Sequence, residues 1–178
     1  MLAGMERERR FRREGTGISK KSLSGIITET VNQTRSLGVK LSHLLGAGDV
    51  VALNGELGSG KTTFTKGIAS GLGVAHPEYV NSPSFVIVKE YKGRLNLYHF
   101  DLYRLDRLYD IEYIGVEEYF GGDGVVVIEW AKKLSGLLPM GYLEIDIKII
   151  DEKKRGFSFK AHGKRYADII SRYIKQQA

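Results

Sequence analysis

The chain alternates between two hydrophobic periodicities. Branched residues in SGIITE (24–29) predict a short strand, after which Thr30 can cap a helix that places Leu37, Leu41, Leu44 and Leu45 on one face. Gly46 and Gly48 end that helix. The continuous apolar run in DVVALN (49–54) predicts a buried strand. A glycine-rich stretch follows, and then a helix with Phe64, Ile68 and Leu72 at four-residue spacing, closing near Gly71 and Gly73. Past a polar loop through Asn81-Ser82-Pro83-Ser84, the arms FVIVKEY (85–91) and LNLYHF (95–100) predict a hairpin turned by Lys92-Gly93-Arg94, with Gly93 at positive φ. Residues 106–120 have helical character broken at Gly115. VVVIE (125–129) predicts a central strand buried on both faces. YLEIDIKII (142–150) alternates, turns at EKKRG and returns through FSFKA as a second hairpin. A last helix near 164–176 places Ala167, Ile170 and Ile174 on one side.

Strands interleaved with helices, plus two hairpins, predict an α/β fold in three layers: a mainly parallel central sheet with antiparallel hairpins added. With 178 residues the chain suits one such domain, assigned here to residues 22–178. Composition narrows the setting. Hydrophobic residues make up 42% and charged residues 27%, and no apolar run reaches the length of a membrane span, so a soluble, cytoplasmic protein without membrane contact is expected. There is no cysteine, which excludes disulfides, thiolate metal sites and cysteine nucleophiles. The net charge of +6 suggests a nucleic-acid binder until its location is considered: residues 1–21 hold seven Arg or Lys against three Glu. The excess belongs mainly to this basic extension, which reads as a disordered, solvated tail.

The chemistry concentrates at GELGSGKT, Gly55 to Thr62, which fits the phosphate-loop pattern G-x-x-x-x-G-K-[ST] between a predicted strand and a predicted helix. Glycines let the backbone close around phosphates so that successive N–H groups and the positive end of the helix face the anion. Lys61 is placed to reach the β- and γ-phosphates of ATP, and Thr62 to put its hydroxyl on Mg²⁺. Hydrolysis further needs a carboxylate for the metal and a group that orients water. Glu129 ends VVVIE, where the carboxyl ends of parallel strands face the ligand crevice, and is the first candidate for the metal. Asp101, directly after LNLYHF, is the second, for metal or water. Ser84 lies where a switch loop would sense the γ-phosphate, and Trp130 follows Glu129 against the nucleotide site or the core. The four histidines show no ligand spacing and receive no role.

Four segments in order, GDVVALNGELGSGKTTF, NSPSFVIVKEY, LYHFDLYRL and VVVIEWA, together resemble the TsaE family, formerly YjeE. The resemblance spans roughly residues 26–160. It implies a P-loop ATPase needed to form threonylcarbamoyladenosine beside the anticodon of tRNAs that read codons beginning with adenosine. It implies that Gly58, Ser59, Gly60, Lys61, Thr62 and Thr63 hold phosphate, with Lys61 essential and Thr62 a Mg²⁺ ligand. Asp101 matches the family's essential aspartate, and Glu129 with Trp130 its Glu-Trp pair, the glutamate associated with Mg²⁺ and the catalytic water. Ser84 replaces a threonine and Glu56 an aspartate, each keeping its chemistry. Arg155 matches a nucleotide-contacting arginine, and Thr30 and Val31 fall beside the adenine.

The resemblance also implies partners: TsaD, which performs the transfer to tRNA, and TsaB, the partner of TsaD, with tRNA reached only through them. ATP turnover would reset that complex. A small-molecule kinase, and a binding module gated by nucleotide with incidental hydrolysis, stand as alternatives. Which of Asp101 and Glu129 orients water stays open.

Overall fold

The structure, a computed structural model, describes residues 22–134 and 136–176; the basic extension over 1–21 lies outside them. Seven strands form one sheet: β1 (Ser22–Thr28), β2 (Val50–Asn54), β3 (Val88–Tyr91), β4 (Asn96–Asp101), β5 (Gly124–Glu129), β6 (Tyr142–Ile149) and β7 (Arg155–His162). Their spatial order is β1-β7-β6-β2-β5-β4-β3. The central four, β6, β2, β5 and β4, run parallel, and the antiparallel pairs β3/β4, β6/β7 and β1/β7 extend the edges. Every residue of β2 and β5 is buried, as continuous apolar runs require in a sheet covered on both faces.

The covering follows the two-residue side-chain period of the strands. Val51, Leu53, Val125, Val127 and Ile145 point to a layer made by α1 (Val31–Ser42), α2 (Lys61–Gly71) and α4 (Lys164–Lys175), where Leu41, Phe64, Ile68 and Tyr173 complete the core. Val50, Ala52, Val126, Ile128 and Phe100 point the other way, to Val116 and Leu134 of the 3₁₀ turns Val116–Tyr119 and Ala131–Leu134. The predicted break at Gly115 is present and separates the short helix α3 (Leu108–Tyr113) from the first of these turns. None of the helices among the described residues is long and apolar enough to cross a membrane.

The crossing of α1 and α2 depends on missing side chains. A Cβ on Gly67 would stand 2.1 Å from the Arg35 carbonyl oxygen, and one on Gly38 2.4 Å from that of Phe64. Each is rigid backbone, so nothing can yield without moving a helix. Gly67→Ala is therefore expected to destabilise the protein by about 3 kcal/mol, the upper part of the range for overpacking, despite the better helix propensity of alanine. A lowered urea midpoint at unchanged slope would register this.

Helix α4 is tied in by more than its apolar face. Tyr173 donates from Oη to the Leu37 carbonyl of α1 at 2.8 Å, the Val50 amide of β2 donates to Tyr166 Oη at 2.8 Å, and Arg165 pairs with Asp49 at 2.8 Å. Burial pushes both phenols well above the usual tyrosine range, keeping them neutral.

Some elements differ from expectation. The first hairpin arm is strand only over Val88–Tyr91; Phe85 and Val86 are exposed, because the Val86 and Ile87 amides turn back to the Pro83 carbonyl rather than joining a ladder. Gly93 does not adopt positive φ. It is small because a Cβ there would lie 2.4 Å from the Leu72 carbonyl oxygen at the end of α2. α1 stops at Ser42, leaving Leu44 and Leu45 beyond it. Ile174 is exposed, since the inward face of α4 is Tyr166, Ala167, Ile169, Ile170 and Tyr173.

Candidate active site

Strand β2 delivers the chain into Gly55–Gly60, and α2 begins at Lys61. Gly60 caps α2 with φ of 100°, a conformation that side-chain-bearing residues rarely adopt, and no side chain caps the helix. The first-turn amides thus keep their capacity for an anion, reinforced by the helix dipole. Lys61 folds over the loop: its Nζ donates to the carbonyls of Gly55 at 2.8 Å and Glu56 at 2.9 Å, and lies 4.1 Å from the centre of the Trp130 ring. Burial pulls the Lys61 ammonium below its ordinary pKa, opposed by the charges of Glu129, Asp101 and Glu56.

Trp130 itself has φ of 62°, unusual for so bulky a residue. This backbone strain turns the chain sharply after β5 and lays the indole over Lys61 and beside Tyr103, ring centres 5.1 Å apart.

The carboxylates come from adjacent parallel strands. Asp101 ends β4 and Glu129 ends β5, and the two are direct partners in the ladder. Glu129 is 2% exposed; its Oε2 accepts from the Thr62 hydroxyl at 3.1 Å, and its Oε1 lies 2.9 Å from His99 Nε2. Asp101 is 4% exposed, with Oδ1 accepting from the Tyr103 amide at 2.9 Å and Oδ2 from the Ser82 hydroxyl. The Asp101 amide donates to the carbonyl of Ile87, whose own φ of 69° is strained for a β-branched residue. A loop held in a tight turn thus delivers Ser82 to the end of β4. This donor set, a hydroxyl and carboxylates, is all oxygen, which suits Mg²⁺ completed by phosphate oxygens and water.

Two cavities meet over the loop, with Gly58, Gly60 and Thr63 lining both. One, about 360 Å³, has Lys61, Thr62, Ser84, Asp101, Glu129 and Trp130 in its wall. The other, about 440 Å³, is formed by the start of α1, including Thr30, Val31 and Thr34, with Arg155 opposite. Arg155 begins β7 and reaches the Gly58 carbonyl at 3.3 Å. Gly55, Glu56 and Ser59 line neither cavity. Within the loop, the first two give their carbonyls to Lys61, and the buried Ser59 hydroxyl stands 3.5 Å from its Nζ.

Sequence reasoning missed Ser82, which holds Asp101 where Ser84 only lines the cavity, and His99, which holds Glu129. A signal for His99 was present: it lies two residues before Asp101 on one strand, and so on the same face. Metal-ligand spacing, which the four histidines lack, is not the pattern that marks it.

A family model described as "Threonylcarbamoyl adenosine biosynthesis protein TsaE" matches residues 28–157. The tRNA threonylcarbamoyladenosine biosynthesis protein TsaE of Bacillus subtilis is 45% identical over 140 residues, covering 77% of this chain and 86% of that protein. The protein of the same name from Treponema pallidum is 40% identical over 129 residues, 72% of this chain and 94% of that one. Among solved structures, the crystal structure of Bacillus subtilis YdiB superposes with a TM-score of 0.71 at 33% identity, covering 92% of this chain and all of that one. The parallel core and its antiparallel edges are consistent with a P-loop NTPase fold. With 130 consecutive residues matched by the family model and relatives at this identity over most of their length, the chain belongs to the TsaE family of threonylcarbamoyladenosine biosynthesis proteins.

Proposed function

We propose that this protein is a Mg²⁺-dependent ATPase that hydrolyses ATP to ADP and phosphate in support of tRNA threonylcarbamoyladenosine formation. One observation carries the reading most directly: the Thr62 hydroxyl at the start of α2 and the Glu129 carboxylate at the end of β5 meet at 3.1 Å inside the cavity that the phosphate loop lines. That pairing gathers the oxygen ligands of a nucleotide-bound magnesium where the helix dipole favours phosphate.

The triphosphate would lie along Gly58–Thr63, with its base and ribose in the larger cavity between Val31 and Arg155. Mg²⁺, when bound by Thr62 and Glu129, supplies neutralisation of charge on the β- and γ-phosphate oxygens. Lys61 exchanges its contacts with the Gly55 and Glu56 carbonyls for the phosphates and stabilises the charge that spreads in the transition state. Asp101, pinned by Ser82 and the Tyr103 amide, accepts a hydrogen bond from the attacking water and orients it. The bond from the water oxygen to the γ-phosphorus forms as the β,γ-bridging bond breaks, and the proton leaves with the phosphate product. Trp130 and Tyr103 wall the cavity against bulk water.

By family resemblance the partners are TsaD and TsaB, and hydrolysis resets their complex between rounds of modification, with tRNA engaged only through it. The test is phosphate release from ATP by the purified chain with Mg²⁺, alone and with TsaB and TsaD, alongside repeated modification of tRNA. Release of phosphate to water, and multiple rounds that need it, are expected. Transfer of the phosphoryl group to a small metabolite would point instead to a kinase. Repeated modification without hydrolysis would point to a binding module gated by nucleotide state.

A further inference from the structure

We infer that His99 is a positioning residue for Glu129, fixing the carboxylate so that one oxygen faces Thr62 and the nucleotide metal. The inference rests on the proposed role of Glu129. His99 is fully buried in β4, and its Nε2 stands 2.9 Å from Glu129 Oε1, while Glu129 Oε2 accepts from Thr62 at 3.1 Å. The two oxygens are thus divided between a ring nitrogen behind and a hydroxyl in front.

The other ring nitrogen decides the tautomer. Nδ1 of His99 is buried and has no hydrogen-bond partner among the described residues. A proton there would be a buried donor without an acceptor, at a cost of about 1–3 kcal/mol, whereas a proton on Nε2 meets a carboxylate oxygen. The imidazole therefore carries its hydrogen on Nε2 and donates it to Oε1. The terminal torsion of a glutamate has only a broad, roughly two-fold preference; the fixed donor narrows it. The arrangement is the carboxylate counterpart of an outer-shell hydrogen bond that orients a metal ligand.

The sheet register explains why a histidine two residues upstream reaches the next strand. Asp101 pairs with Glu129 and His99 with Val127, so His99 lies beside β5 two residues before its end, and the Glu129 side chain folds back along the sheet to meet it. Asp101, on the same face, is held independently by Ser82 and Tyr103.

Two measurements test this. In the full natural chain, ¹⁵N NMR of the imidazole is expected to show His99 protonated on Nε2 and bare on Nδ1; a proton on Nδ1 overturns the inference. Calorimetric binding of a non-hydrolysable ATP analogue, titrated with Mg²⁺, is the second readout and does not depend on turnover. His99→Leu is expected to raise the Mg²⁺ concentration needed for tight binding about 10- to 100-fold, with metal-free nucleotide affinity little changed. His99→Gln, whose amide nitrogen can donate from nearly the same place, is expected to restore most of the response. An unchanged Mg²⁺ response in His99→Leu, or a folded His99→Gln that restores nothing, overturns the inference. If the leucine variant does not fold, the natural chain and the glutamine variant decide alone. Absence of ATP hydrolysis by the natural chain would overturn the ATPase reading while leaving the tautomer and the Mg²⁺ response to judge His99.

Discussion

Lys61→Ala is expected to abolish measurable ATP hydrolysis, lowering kcat by at least about 10²- to 10³-fold, and to weaken ATP binding as well. The lysine is 5% exposed and already bridges two carbonyls of the loop at 2.8 and 2.9 Å, so its ammonium stands at the loop without any rearrangement of the fold. Three carboxylates, those of Glu129, Asp101 and Glu56, act electrostatically on it, and in the low-dielectric cavity their charge would repel a triphosphate once the lysine is gone. Alanine removes the compensating charge and leaves the repulsion. The loss should therefore appear in both Kd for ATP and kcat, unlike a change confined to the transition state. Isothermal titration with ATP and a phosphate-release assay check the two parts. Full hydrolysis by a folded Lys61→Ala protein would rule out the proposed arrangement of the phosphates.

The second large effect is expected at Glu129. Glu129→Gln keeps the shape of the side chain and a hydrogen-bonding group facing Thr62, but removes the negative charge that would hold Mg²⁺. Hydrolysis is expected to fall about 10²- to 10³-fold even at saturating Mg²⁺, where ATP still binds because Lys61, the α2 amides and the larger cavity are untouched, while the Mg²⁺ needed for tight binding rises as it does in His99→Leu. The contrast separates the two residues: at Lys61 binding and turnover are expected to fail together, and at Glu129 excess Mg²⁺ is expected to restore binding but not turnover. In the modification assay with TsaB and TsaD, Glu129→Gln should dock and then stall. Continued cycling at the natural rate by a variant without hydrolysis would favour the module gated by nucleotide state.

How much of this was legible before the fold was known depends on how far apart the interacting atoms are in sequence. The strand, glycine loop and helix that set the loop's place could be read because the pattern is local: glycines, lysine and threonine lie within eight consecutive residues between a strand and a helix. Asp101 and Glu129 were legible as candidates because each follows an apolar run, and strand ends mark the crevice of a parallel sheet. Their being ladder partners was not, since that depends on β4 lying next to β5. The apolar run Phe85-Val86-Ile87 misled for a related reason. Its composition favours a strand, but the turn back to Pro83 spends its amides locally and leaves Phe85 80% exposed. No propensity foretells the positive φ of Ile87 and Trp130; tertiary contacts hold both against their intrinsic preference.

By itself, then, the sequence determined the alternating elements, the burial of β2 and β5 and the glycine loop that joins β2 to α2, all of which follow from periodicity or from atoms a few residues apart. Tertiary structure alone decided the strand order, the meeting of Thr62 with Glu129 across 67 positions, the hold of Ser82 on Asp101 and the place of His99 behind the carboxylate. Those contacts exist only when particular strands become neighbours in a particular register. That choice is made by the summed packing of both faces of the sheet, which no local pattern encodes.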